Sequence, residues 1–117
     1  MSLEIPECKI TVLRRTLNQG LIDEYLLEEY GNIGPCELFE EGQEFIIQDY
    51  SSIPSGFCVS AWVDIFKDVM LVASGGNMPG MKTKGTVICG CSDWFRPVIF
   101  KIERRESGQD NEEVPSR

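Results

Sequence analysis

Residues 59–73 read VSAWVDIFKDVMLVA. Apolar side chains fill nearly every position, and the polar stripe consists of Ser60, Asp64, Lys67 and Asp68. A stripe this narrow predicts an α-helix that packs on most of its circumference. The glycines at 75 and 76 follow and can supply the left-handed residue that often ends a helix. We therefore expect a central helix over residues 59–73, which must be covered by another layer of structure.

Period-two alternation predicts strands on both sides of this helix. Residues 8–16 and 43–49 alternate apolar and polar side chains before it. Residues 86–91 and 97–103 do so after it, and the short turn between them predicts an antiparallel hairpin. These four segments are enough for a small, mostly antiparallel sheet.

A second helix is predicted over residues 21–30, where the apolar side chains share one face. Asn18 can cap its start, and Gly31 can end it in a left-handed conformation. The element order is then β-α-β-α-β-β, which indicates an α+β domain over residues 1–105 with two helices on about four strands. Residues 106–117 are polar and acidic, and we expect a disordered tail there.

The composition is that of a globular protein with an acidic surface. The chain has 117 residues, of which 42% are hydrophobic and 26% charged. Its 19 acidic and 11 basic residues give a net charge of −8, which disfavours nucleic acid and anionic membranes as partners. No apolar run is long enough to span a membrane, and the amino terminus does not resemble a secretory signal. The expected location is the cytoplasm.

Five cysteines and the absence of histidine limit the chemistry. In a reducing cytosol, an odd number of cysteines favours free thiols, metal ligands or redox sulfurs over structural disulfides. Without histidine, Ser-His and Cys-His dyads and histidine metal ligands are excluded. We assign no catalytic residue from the sequence.

The cysteines fall near the ends of the predicted elements. Cys36 lies in a loop, and Cys58 stands at the start of the central helix, where the helix dipole stabilises a thiolate. Cys89 and Cys91 flank Gly90, a spacing that permits chelation on a strand. Zinc or iron held by sulfur is one prediction, although no Cys-x2-Cys knuckle is present. Ordinary buried thiols are the alternative.

Several blocks of sequence resemble a known family when they are taken together. They are GPC at 34–36, FEEGQEF at 39–45, GFC at 56–58 and RPVIFKIER at 96–104. The pattern is similar to that of a family of short prokaryotic proteins with no assigned activity. The resemblance covers residues 8–105 and implies that cysteines at positions 36, 58 and 91 form any shared site.

Two functional hypotheses follow. The first is a thiol site formed by Cys36, Cys58 and Cys91, with Cys89 as a possible additional thiol, that binds a soft metal such as zinc or iron or undergoes redox chemistry. The second is a non-catalytic module that binds a protein partner or a small ligand. Its apolar patch would consist of Trp62, Trp94, Phe95, Met78 and Met81.

Trp62 can discriminate between the two hypotheses. Its place in the helical pattern predicts a core position opposite Asp64 and Asp68. An exposed Trp62 would instead favour the apolar patch.

Overall fold

The computed structural model describes residues 6–105. Its strands are β1 (Glu7–Arg15), β2 (Glu44–Ile47), β3 (Thr86–Gly90) and β4 (Val98–Arg105), and its helices are α1 (Gln19–Tyr25) and α2 (Val59–Ala73). The strands form one antiparallel sheet in the order β2-β1-β4-β3. The α+β class and the predicted element order are therefore confirmed. The predicted tail, 106–117, lies outside the described residues.

Helix α2 has the bounds that its sequence predicts, and it covers one face of the sheet. It packs against β3, β4 and β1. Its buried side chains are Ala61, Trp62, Ile65, Asp68, Val69, Val72 and Ala73. The sheet contributes Ile10, Val12, Val87, Phe100 and Ile102, all nearly inaccessible to solvent. Burial of these apolar side chains is the main source of stability for the fold.

The opposite face of the sheet is charged at its centre. Lys9 on β1 lies 3.5 Å from Glu44 on β2 and 3.5 Å from Glu103 on β4. Lys101 adds a further contact of 3.6 Å to Glu103. The period of two in the strands thus separates an apolar face from a polar one. In residues 6–105, neither helix has the length and apolar character needed to cross a membrane.

An aromatic cluster fixes the position at which α2 begins. The ring of Phe57 lies 4.9 Å from that of Phe45, 5.0 Å from that of Phe39 and 5.4 Å from that of Phe100. Rings at these distances attract one another, and this attraction adds to the stabilisation that comes from burying their apolar surface. Because Phe57 directly precedes Cys58, the cluster also fixes the main chain at that cysteine.

The first helix is shorter than predicted. Helix α1 ends at Tyr25, the chain turns to an extended conformation at Leu26, and a 3₁₀ turn follows at Glu28–Tyr30. Gly31 has a φ of −73°, so it is not the predicted left-handed stop. Only Ile22 on this helix is buried, and α1 makes no extensive contact with any described helix or strand. A short helix without such packing is marginal, which explains its early end.

The carboxyl end of α2 is held by an arginine from β4. Nη1 of Arg104 donates to the carbonyl oxygens of Val72, at 2.7 Å, and Gly76, at 3.1 Å. Its Nη2 lies 3.4 Å from Oδ1 of Asn77. Gly75 has a φ of +96°, the left-handed conformation predicted for the helix end. The guanidinium therefore adds a hydrogen bond at the Val72 carbonyl, which also accepts the Gly75 N–H at 3.2 Å, and complements the negative end of the helix dipole.

Candidate functional site

A pocket of about 330 Å³ opens at the amino end of α2. Cys36, Cys58 and Cys91 all line it, so the three cysteines that were expected to share a site reach one cavity. They come from a loop, from the start of α2 and from the residue after β3. All three are half-buried and pack against the edge of the core.

Cys58 is the N-cap residue of α2. Its carbonyl oxygen accepts the N–H of Trp62 at 2.9 Å, the first hydrogen bond of the helix. Ser60 and Ala61, in the first turn, also line the pocket. The N–H groups of a first helical turn carry partial positive charge, so this end of the pocket favours an electron-rich ligand.

Cys91 is held by the close approach of β3 and β4. Its N–H donates to the carbonyl oxygen of Val98 at 3.1 Å, and Val98 N–H donates back to Cys91 Sγ at 3.3 Å. A Cβ at Gly90 would lie 2.8 Å from the Val98 oxygen, closer than packing allows. Glycine is therefore required between the two cysteines for the strands to approach this closely.

Cys36 is fixed through its own main chain. Its carbonyl oxygen accepts Nη1 of Arg15 on β1 at 3.0 Å. Its sulfur accepts the N–H of Leu38 at 3.4 Å. Cys36 and Cys91 thus each have a sulfur that accepts a main-chain N–H, which orients the side chain.

Polar residues that the sequence did not single out tie the pocket wall together. Oδ2 of Asp64 accepts from the N–H of Ser92 at 2.7 Å and from its hydroxyl at 2.9 Å. Asp93 Oδ1 accepts the N–H of Phe95 at 3.1 Å, and Nη1 of Arg96 donates to Gly34 O at 3.3 Å. Ser92-Asp93 directly after Cys91 is a turn signal that could have identified this wall. Nothing local in the sequence indicates its partner Asp64.

Cys89 and Cys8 lie outside the pocket. Burial, together with the negative charge of Asp68, raises the pKa of Cys89 to about 12, against a lowering effect of Lys67. Burial also raises the pKa of Cys8, against smaller lowering effects of Tyr50 and Arg104. The structure therefore does not bring Cys89 to the other three thiols as an additional member of the site.

The polar stripe of α2, which its sequence predicts to face solvent, includes one buried residue. Asp68 is only 7% exposed, and its carboxylate pairs with Lys67 at 3.2 Å. The expectation that this residue faces solvent is wrong, because α2 turns that side toward β3. Asp68 thereby reaches Cys89, whose pKa it raises.

The high pKa of Cys89 predicts a loss of stability in alkali. In the unfolded chain the thiol titrates near its ordinary value of 9.0, whereas in the folded protein it keeps its proton to about pH 12. Between these values the native state binds more protons, so the free energy of unfolding falls as pH rises, by up to about 1.4 kcal/mol per pH unit. Urea denaturation at several pH values measures the slope. Cys89→Val should flatten it, and an unchanged slope would contradict this assignment.

Within residues 6–105, no group of three or more cysteine, aspartate or glutamate side chains is arranged to hold a metal ion. The three pocket thiols share a cavity without forming such a group. Zinc or iron binding stays a prediction.

The residues of the expected apolar patch do not lie together. Trp62 is 7% exposed and packs against Phe57 and Phe66, which confirms its core position and removes it from any surface patch. Trp94 and Phe95 belong to the turn between β3 and β4, and Met78 and Met81 to the loop before β3. These two segments lie at opposite ends of β3. Trp94 is the most exposed of the five, at 67%.

Comparison of the chain with protein-family models, with curated proteins and with solved structures found no match. The resemblance to the family of short prokaryotic proteins stays a prediction.

Proposed function

We propose that the protein carries out thiol–disulfide exchange with low-molecular-weight disulfides at Cys36, Cys58 and Cys91. The observation that supports this function is the presence of three half-buried thiols in one pocket. Its volume of about 330 Å³ is at the small end of the range for small-molecule sites. Exchange can begin at a single accessible thiol, so it does not require a preassembled group of ligands.

The surroundings of the thiols support this chemistry. The reactive species is the thiolate, and the start of α2 favours negative charge beside Cys58. Main-chain N–H groups donate to the sulfurs of Cys36 and Cys91. Free thiols persist in a reducing compartment, so the proposal includes a cytoplasmic location.

The exchange step is a displacement at sulfur. A pocket thiol loses its proton to water, and the thiolate attacks one sulfur of a disulfide RS–SR. The S–S bond of the reagent breaks, a mixed disulfide Cys–S–S–R forms, and RS⁻ leaves and takes up a proton. The cysteine sulfur is oxidised, and the released thiol is the reduced product.

Site-resolved modification tests the proposal. Native protein is incubated with oxidised glutathione at about pH 8, and mixed disulfides are located by peptide mass spectrometry. We expect adducts at the pocket cysteines at rates at least about tenfold above those at Cys8 and Cys89, because burial raises the pKa of both other thiols.

Two multiple variants provide matched controls. A Cys36→Ser/Cys58→Ser/Cys91→Ser protein should form almost no adduct, whereas a Cys8→Ser/Cys89→Ser protein should react like the parent. Both are checked by circular dichroism for folding. Equal modification of the two variants, or preferential reaction of Cys8 or Cys89, would overturn the proposal.

A further inference from the structure

Helix α1 and the 3₁₀ turn after it expose large apolar side chains. Leu21 is 40% exposed, Tyr25 67%, Leu27 64% and Tyr30 54%. We call these four residues the α1 surface. Single exposed apolar residues are ordinary, but four within ten positions of the chain form a local concentration that marks interaction sites.

The four residues of the α1 surface form two pairs along the chain. Leu21 and Tyr25 are four residues apart on α1, so they are neighbours on the helix surface. Leu27 directly precedes the 3₁₀ turn and Tyr30 ends it, and the N–H of Tyr30 donates to the carbonyl oxygen of Leu27 at 2.9 Å. The geometry thus presents apolar side chains in pairs.

Little of the described protein covers this surface. Helix α1 buries only Ile22 and packs extensively against no described helix or strand. The charged face of the sheet and the thiol pocket are formed by other residues. The α1 surface is thus a feature separate from the proposed thiol chemistry.

The charged residues around the α1 surface are all acidic. Asp23, Glu24, Glu28 and Glu29 lie between its apolar residues and are exposed. No lysine or arginine occurs between Arg15 and Lys67. Across residues 6–105, the ion pairs that are formed include none of these four carboxylates.

We propose that the α1 surface docks a basic amphipathic helix of a partner protein. Apolar anchors on such a helix would pack on Tyr25 and Leu27, and its lysine or arginine side chains would face the surrounding carboxylates. We choose a basic helix because its positive charge is opposite to that of the carboxylates around the α1 surface. A second copy would bring the same acidic surface, and residues 106–117 carry four acidic residues against one arginine, so both are repelled.

A designed peptide pair tests the docking surface. The probe is a fluorescein-labelled peptide of about 14 leucine and lysine residues with its leucines on one helical face, and its isomer has the same composition in scrambled order. Fluorescence anisotropy at about 0.1 M salt measures both affinities. We expect the amphipathic peptide to bind at least about tenfold more tightly than its isomer and to weaken as salt is raised.

Surface variants locate the binding. Tyr25→Ser/Leu27→Ser should lower the affinity for the amphipathic peptide at least about tenfold. Glu28→Gln/Glu29→Gln should also lower this affinity and should reduce its dependence on salt. Ile88→Ser, at a side chain 48% exposed on β3, is the matched control and should leave the affinity unchanged. Equal affinity for the two peptides, tight binding of an acidic amphipathic peptide, or insensitivity to Tyr25→Ser/Leu27→Ser would overturn the proposal.

Discussion

Replacing Trp62 with alanine should lower the free energy of unfolding by about 3–5 kcal/mol. The indole is 7% exposed, and its ring packs edge-on against Phe57 at 5.9 Å and Phe66 at 5.5 Å. Truncation removes this burial and leaves a cavity between α2 and the aromatic cluster. Since small domains have a total stability of about 5–15 kcal/mol, this loss is a large fraction of the whole.

Trp94 provides a matched control for the Trp62 measurement. It is the only other tryptophan and is 67% exposed, so Trp94→Ala should change stability by no more than about 0.5 kcal/mol. Urea denaturation followed by far-ultraviolet circular dichroism measures both variants without depending on indole fluorescence. Similar losses in the two proteins would contradict the core position of Trp62.

Replacing Arg104 with methionine should cost about 3 kcal/mol, because hydrogen bonds to a charged group contribute about 1.5–3 kcal/mol each and part of this is screened by solvent. The variant keeps much of the apolar stem but removes the arginine donor from the carbonyls of Val72 and Gly76, of which Val72 keeps only the Gly75 N–H at 3.2 Å. It also removes a cation from the carboxyl end of α2. Thermal and urea denaturation measure the loss, and amide hydrogen exchange should report faster opening of the last turn of α2.

Two further arginine variants separate capping from simple charge removal. Arg14 is exposed, so Arg14→Met changes the net charge equally with an expected effect within about 0.5 kcal/mol. Arg104→Lys retains the charge but lacks the planar fork that reaches two carbonyls, so its stability should lie between those of the parent and Arg104→Met. If Arg104→Met and Arg14→Met lose the same stability, the capping role is wrong.

The elements whose sequence pattern was strong were predicted well. Residues 59–73 form α2 with the predicted bounds. The expectation that the helix packs on most of its circumference is wrong, because α2 lies against the sheet on one side and leaves Val59, Val63 and Phe66 61%, 69% and 36% exposed. The β3–β4 hairpin follows from two alternating segments joined by a short turn. The prediction for helix α1 was too long, because the apolar spacing over 21–30 matches a helix even where no described strand or helix packs extensively against it.

The candidate site was predictable only in part. Cysteines near the ends of elements could be placed near one another once the order of the elements was known. The contact from Asp64 to Ser92 joins residues that are 28 positions apart, and no local pattern contains it. The exposure of Asp68 was predicted wrongly for a related reason. A polar side chain on a helix predicts a solvent-exposed position, whereas the rotation of α2 against β3 directs this side chain toward Cys89.

The pairing of β1 with β4 also has a consequence for folding. These two strands form the centre of the sheet, yet residues such as Cys8 and Arg104 that are partners in register lie at opposite ends of the described chain. Closing so long a loop costs entropy before any contact is gained, a topology associated with slow folding. During synthesis, α2 leaves the ribosome before β4 exists to cover it. Its apolar face is thus exposed to aggregation or to chaperones until the last strand is released.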